Sequence, residues 1–168
     1  MGKKSQPWSI TPPDFFKESE EARSLFSQII GSFSEDIAII PAVSYGIAIA
    51  ALNLPIKKDE NVVVLEEQFP SNYYVWSENV KRANGELVVV KRPAEGSITS
   101  AILTAISEKT AVVALPNCHW TDGAVIDLIK ISEKCRQSGS ALVLDLAQSA
   151  GAMPFSVKEI DPDFVIAP

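Results

Sequence analysis

Ser44, Phe69, His119, Asp145 and Gln148 are the residues of this sequence whose types and spacing could do chemistry together. Asp145 closes the apolar run Ala141-Leu142-Val143-Leu144. Gln148 follows it, ahead of the small residues Ser149, Ala150 and Gly151. A carboxylate delivered to the carboxyl end of a buried parallel strand stands where open α/β sheets place their ligands. In an apolar wall it is costly unless a cation or hydrogen-bond donors meet it. A protonated heterocyclic nitrogen supplies both. The plainer alternative is an aspartate that caps a turn or a helix.

The elements that must position these residues follow from hydrophobic period. Pro7, Pro12 and Pro13 mark residues 1–13 as an extended arm, and Thr11-Pro12-Pro13-Asp14 is a helix-start signal. Ala22, Leu25, Phe26, Ile29 and Ile30 recur at helical spacing up to Gly31. Ile37–Ile40, Asn61–Leu65, Glu86–Val90, Thr110–Leu115, Ala141–Asp145 and Asp163–Ala167 read as six strands. Between them lie helical segments over Ser44–Leu54, Asn72–Asn84, the stretch carrying Ile98, Ile102, Ala105 and Ile106, and Val125–Gln137. Continuous Val/Ile/Leu strands separated by helix-length segments indicate one α/β domain, a mostly parallel sheet with helices on both faces.

In such a sheet the residues just after each strand converge on one rim. Ser44, at a helix start after the first strand, could hold a phosphate with the free N–H groups of that turn, or simply cap the helix. Phe69, immediately before Pro70, could stack on a flat ring or merely pack its loop. The chain's single histidine, His119, sits in the polar loop Pro116-Asn117-Cys118-His119-Trp120-Thr121-Asp122-Gly123 aimed at the same rim. Cys118 and His119 make a poor nucleophile pair, because adjacent residues of extended chain point to opposite sides. A phosphate anchor, a stacking ring and a carboxylate for a basic ring nitrogen together describe pyridoxal 5′-phosphate (PLP).

Composition excludes other classes. The chain has 168 residues, 46% hydrophobic and 21% charged, enough for one globular domain with a real core. A net charge of −6 and a pI near 4.8 argue against nucleic-acid binding. The pairs Lys3-Lys4, Lys57-Lys58 and Lys81-Arg82 are scattered. Met1-Gly2 lacks the serine or threonine at position 6 that myristoylation needs. No signal peptide or membrane-spanning run is apparent. The two cysteines, Cys118 and Cys135, form neither a disulfide framework nor a zinc site, and a reducing cytoplasm fits them.

The segments AVSYGIAIAALNLP, EQFPSNYYVW, LPNCHWTDGAVIDL and LDLAQSAGAMPFSVKEIDPDFV, with the lead-in FKESEEARSLFSQIIG, cover almost the whole chain. In order and spacing they resemble the large domain of class V aminotransferases. These are fold-type-I PLP enzymes that include cysteine desulfurases, kynureninases and isopenicillin-N-epimerase-like proteins. The resemblance implies a three-layer αβα fold and a division into an N-terminal arm and helix (1–31) and a PLP-binding large domain (32–168). It implies that Val43 and Ser44 form the phosphate-binding turn and that Phe69 lies over the cofactor ring. Asp145 would pair with the pyridine nitrogen, and Gln148 would donate to the phenolic oxygen. His119 falls where desulfurases and kynureninases usually carry Asn near that oxygen, a departure that bears on reaction type. FPSNYY is closer to the FPT-type segment of kynureninase relatives than to the histidine-bearing loop of desulfurases. A small amino-acid substrate and a homodimer are implied as well.

The family's Schiff-base lysine is expected beyond Pro168, shortly after the strand that contains Asp163-Phe164-Val165. No lysine of this chain, the last being Lys158, is expected to replace it. On that reading these residues hold most of a cofactor cradle without its covalent anchor and are inactive alone. The family's later antiparallel strand and small C-terminal domain would also be missing, which leaves the sheet incompletely paired. A Rossmann-like nucleotide module is the reading from another class. Glu66 could serve as its ribose-binding acid, but the first turn carries one glycine, Gly46, and no G-x-G-x-x-G.

Overall fold

Apolar runs of valine, leucine and isoleucine form the strands of the computed structural model, which describes residues 5–168. Lys3-Lys4 and the Met1-Gly2 start lie outside the described residues. The strands are β1 (Asn61–Leu65), β2 (Glu86–Val90), β3 (Thr110–Pro116), β4 (Ala141–Asp145) and β5 (Phe164–Ile166). They pair in parallel throughout, in the order β2-β1-β3-β4-β5.

Side-chain alternation divides the core between two faces. Val62, Val64, Val112, Ala114 and Val143 face α2 (Val43–Asn53) and α3 (Pro70–Ala83). Val63, Leu65, Val113, Leu115, Leu142 and Leu144 face α4 (Ile98–Ala105), α5 (Leu128–Ser138) and the short α6 (Val157–Ile160). Both faces are therefore covered, which is why these strands read as unbroken apolar runs rather than as alternating ones.

Helix ends follow local chemistry. α1 (Asp14–Ile30) begins where the Thr11 N–H and hydroxyl both donate to Asp14 Oδ2, at 2.9 and 2.7 Å. It stops at Gly31, whose φ of 71° few side chains tolerate. α5 begins at Leu128 rather than at Val125 as the periodicity suggested. Val125 is taken up in an antiparallel bridge to Cys118, and Asp127 caps the helix by accepting from the Lys130 N–H at 3.2 Å.

Other expectations are corrected. The described residues form five strands, not six: Ile37–Ile40 pairs with no strand. A groove of about 670 Å³ separates it from Val165 and Ile166 of β5, so its backbone has no ladder to join. Among the described residues β5 is an edge strand, and no strand pairs with its groove side. The arm is not extended throughout, since Pro7–Ser9 makes a turn of 3₁₀ helix. The apolar stripe of α1 is only half used. Ile30 is buried, whereas Leu25 and Ile29 are exposed. No helix among the described residues is long and apolar enough to cross a membrane.

Candidate functional site

Asp145 is the last residue of β4 and lies on the α2/α3 face, two positions after Val143. It is 3% exposed. One carboxylate oxygen, Oδ1, accepts from the Ala147 N–H at 3.0 Å, and no cation among the described residues pairs with it. Burial raises its pKa, and the Ala147 N–H lowers it by less.

α2 runs antiparallel to the strands, and its sequence explains how it fits. Gly46, in its first turn, lies so close to the 37–40 segment and to β5 that a Cβ there would stand 2.6 Å from Ile40 Cδ1 and 3.0 Å from Ile166 Cγ2. Ile166 is the residue opposite Asp145 across β4 and β5. The far end of α2 gives its Ala51 carbonyl to Asn79 of α3. The amino end of α2 and the carboxylate of Asp145 thus share one rim of the sheet. The helix starts at Val43, with Ala42 as its cap residue, so Ser44 is not the N-cap. Ser44 is exposed in the first turn, whose leading N–H groups have no intrahelical acceptor. That turn can receive an anion.

Phe69 caps α3 just before Pro70 and is 44% exposed. His119, 3% exposed, lies under the same rim with both ring nitrogens engaged. Nε2 stands 3.2 Å from the Glu66 carbonyl and Nδ1 stands 2.9 Å from Thr121 Oγ1. A carbonyl can only accept, so Nε2 carries a hydrogen toward Glu66, while the threonine hydroxyl can either donate to Nδ1 or accept from it. Gln148 is exposed in the turn after β4, while its neighbour Ser149 is buried. The rim therefore combines the open start of a helix, a buried carboxylate with no cation partner among the described residues and a half-exposed aromatic ring.

The chain as a whole matches a known family. The family model Aminotransferase class-V matches residues 12–168. The chain belongs to the class V aminotransferases. Their cofactor is PLP. The chain is 31% identical over 153 residues to the uncharacterized aminotransferase YcbU of Bacillus subtilis, covering 90% of this chain and 40% of that protein. It is 29% identical over 154 residues to a probable cysteine desulfurase of Methanothermobacter thermautotrophicus, covering 90% and 38%. Among solved structures, a lysine-to-alanine mutant of C-DES with glycine covalently linked to its PLP cofactor superposes with a TM-score of 0.84. It is 19% identical, and the match covers 98% of this chain and 45% of that one. The chain spans about 40% of the length of the curated relatives it matches.

Sequence reasoning passed over the residues that hold this class V rim together. Trp120 donates its indole N–H to the Glu67 carbonyl at 2.6 Å and meets Phe69 edge to face, with centroids 5.5 Å apart. Gln68 is pinned by the Leu65 N–H and donates to the Asn72 carbonyl. Asn72 in turn accepts the indole N–H of buried Trp76 at 3.0 Å. The available signal for Trp120 was its place beside His119 in a polar loop. Its partner lies 53 positions away and leaves no local trace.

Proposed function

We propose that this rim grips PLP in an enzyme that transforms an amino acid or amine. Asp145 meets the pyridine nitrogen, Phe69 covers the ring, and Val43 and Ser44 at the start of α2 take the phosphate. Gln148 and His119 stand toward the phenolic oxygen, His119 as a ring already fixed by Glu66 and Thr121. When bound, the cofactor supplies the electron sink that draws charge from the substrate carbon. Asp145 keeps the ring nitrogen protonated, and the first turn of α2 orients the group from its other end. The observation that carries the reading is the buried, cation-free carboxylate of Asp145 on the same rim as the start of α2.

The division into residues 1–31 and 32–168 belongs to this reading. A homodimer and a cytoplasmic setting, which the free thiols of Cys118 and Cys135 suit, complete it.

The test is PLP titration of the full-length protein followed by absorbance. Saturable binding with a visible band is expected, at least ~10-fold weaker in Asp145→Ala, because a charge-assisted hydrogen bond is lost. A full-length protein that binds no PLP overturns the reading.

A further inference from the structure

Two neighbouring side chains of the loop after β3 hold two neighbouring carbonyls of the loop after β1. His119 Nε2 takes the carbonyl of Glu66, and Trp120 Nε1 takes that of Glu67 at 2.6 Å. Glu67 has φ of 55°, a left-handed conformation that non-glycine residues rarely adopt, so the loop needs an outside hold. Phe69 lies two residues further on, and the Trp120 ring stands against it at 86°. The loop that carries Trp120 is itself fixed. The Gly123 N–H returns to the His119 carbonyl, the Ala124 N–H is held by Asp122 Oδ1, and Arg92 pairs with Asp122. Trp120 nevertheless remains 47% exposed, and Phe69 44%. The Trp120 indole N–H and one ring edge are held, while much of the ring stays open to solvent.

The geometry points to Trp120 as a positioning residue for Phe69. Its N–H fixes the backbone of the loop, and its ring edge sets the plane in which Phe69 meets a flat ligand. This inference rests on the reading of the rim as a PLP site. It adds that the stacking face is preset by a residue from a different strand's loop, which need not itself touch the cofactor.

The experiment compares wild type, Trp120→Phe and Trp120→Leu of the full-length protein by PLP titration and by the circular dichroism of the bound cofactor. Trp120→Phe keeps an aromatic edge but loses the N–H···O bond, and Trp120→Leu loses both. PLP affinity is expected to fall about 3- to 5-fold in Trp120→Phe and about 10-fold in Trp120→Leu. The induced dichroic band should shrink in the same order, because the ring is held less uniformly. Acid-quenched release of cofactor gives occupancy separately, so the band is compared at equal loading. Unchanged affinity and an unchanged band in both variants, with wild type binding PLP, overturn the inference alone. Failure of wild type to bind PLP removes the reading beneath it. If Trp120→Leu does not fold, Trp120→Phe decides.

Discussion

Gly46 in the first turn of α2 lies against Ile166, the residue opposite Asp145 on the neighbouring strand. This contact sets the distance between the helix start and the carboxylate, because no side chain separates helix from sheet there. An alanine at 46 would gain about 1 kcal/mol of helix propensity. It would also press on Ile40 and Ile166, and overpacking costs about 1–3 kcal/mol. Gly46→Ala is therefore expected to lower the urea midpoint slightly, and Gly46→Val clearly. Both should weaken PLP binding by lifting α2 from the rim. A Gly46→Ala protein that is stabilised and binds PLP normally would show that the contact is not tight.

Asp145 predicts an opposition between stability and binding. Burial raises its pKa in the folded state. The folded chain then holds the proton to higher pH than the unfolded chain does, so stability falls as pH rises from the ordinary carboxylate range through the folded pKa. The penalty is fully present above that point. Asp145→Asn should make the cofactor-free protein more stable at neutral pH, flatten this part of its pH profile, and weaken PLP binding. Denaturant melts at several pH values check the sign. Lower stability of Asp145→Asn at neutral pH would contradict it.

Asn72 and Trp76 give a prediction about the core beneath the rim. The indole N–H of Trp76, a fully buried residue, has Asn72 Oδ1 as its acceptor. Asn72→Ala strands that donor, at a cost of about 1–3 kcal/mol. In a Trp76→Phe background the same substitution should cost less, since no donor is left to strand. A double-mutant cycle measured by urea unfolding reads the difference.

The thiols should separate by reactivity. Burial pushes the Cys135 thiol up to about 12, whereas Cys118 is partly exposed. Thiol titration of the native protein at mildly alkaline pH should modify Cys118 and leave Cys135 until the chain is unfolded. Equal rates for the two would mean that α5 opens readily.

Much of the site was legible because its chemistry sits at the ends of periodic segments. The apolar run Leu142-Val143-Leu144 alone puts Asp145 at a strand end, and the pattern of strand and helix lengths makes the sheet parallel. Gly31 and Gly139 mark helix ends that the structure keeps, with φ of 71° and 73°. These features depend on contacts between near neighbours in the chain, which residue types encode directly.

What the sequence did not give is set by strand order. His119 meets Glu66, and Trp120 meets Glu67, because β3 lies beside β1. Gly46 finds Ile166 because α2 crosses back over β5. Ile37–Ile40 has the composition of a strand but lacks a neighbour to pair with, and composition cannot supply one. By itself the sequence determined which residues could act and at which end of each element they stand. Only the tertiary structure decided which of them meet, because long-range contacts depend on the order in which strands assemble, not on any local period.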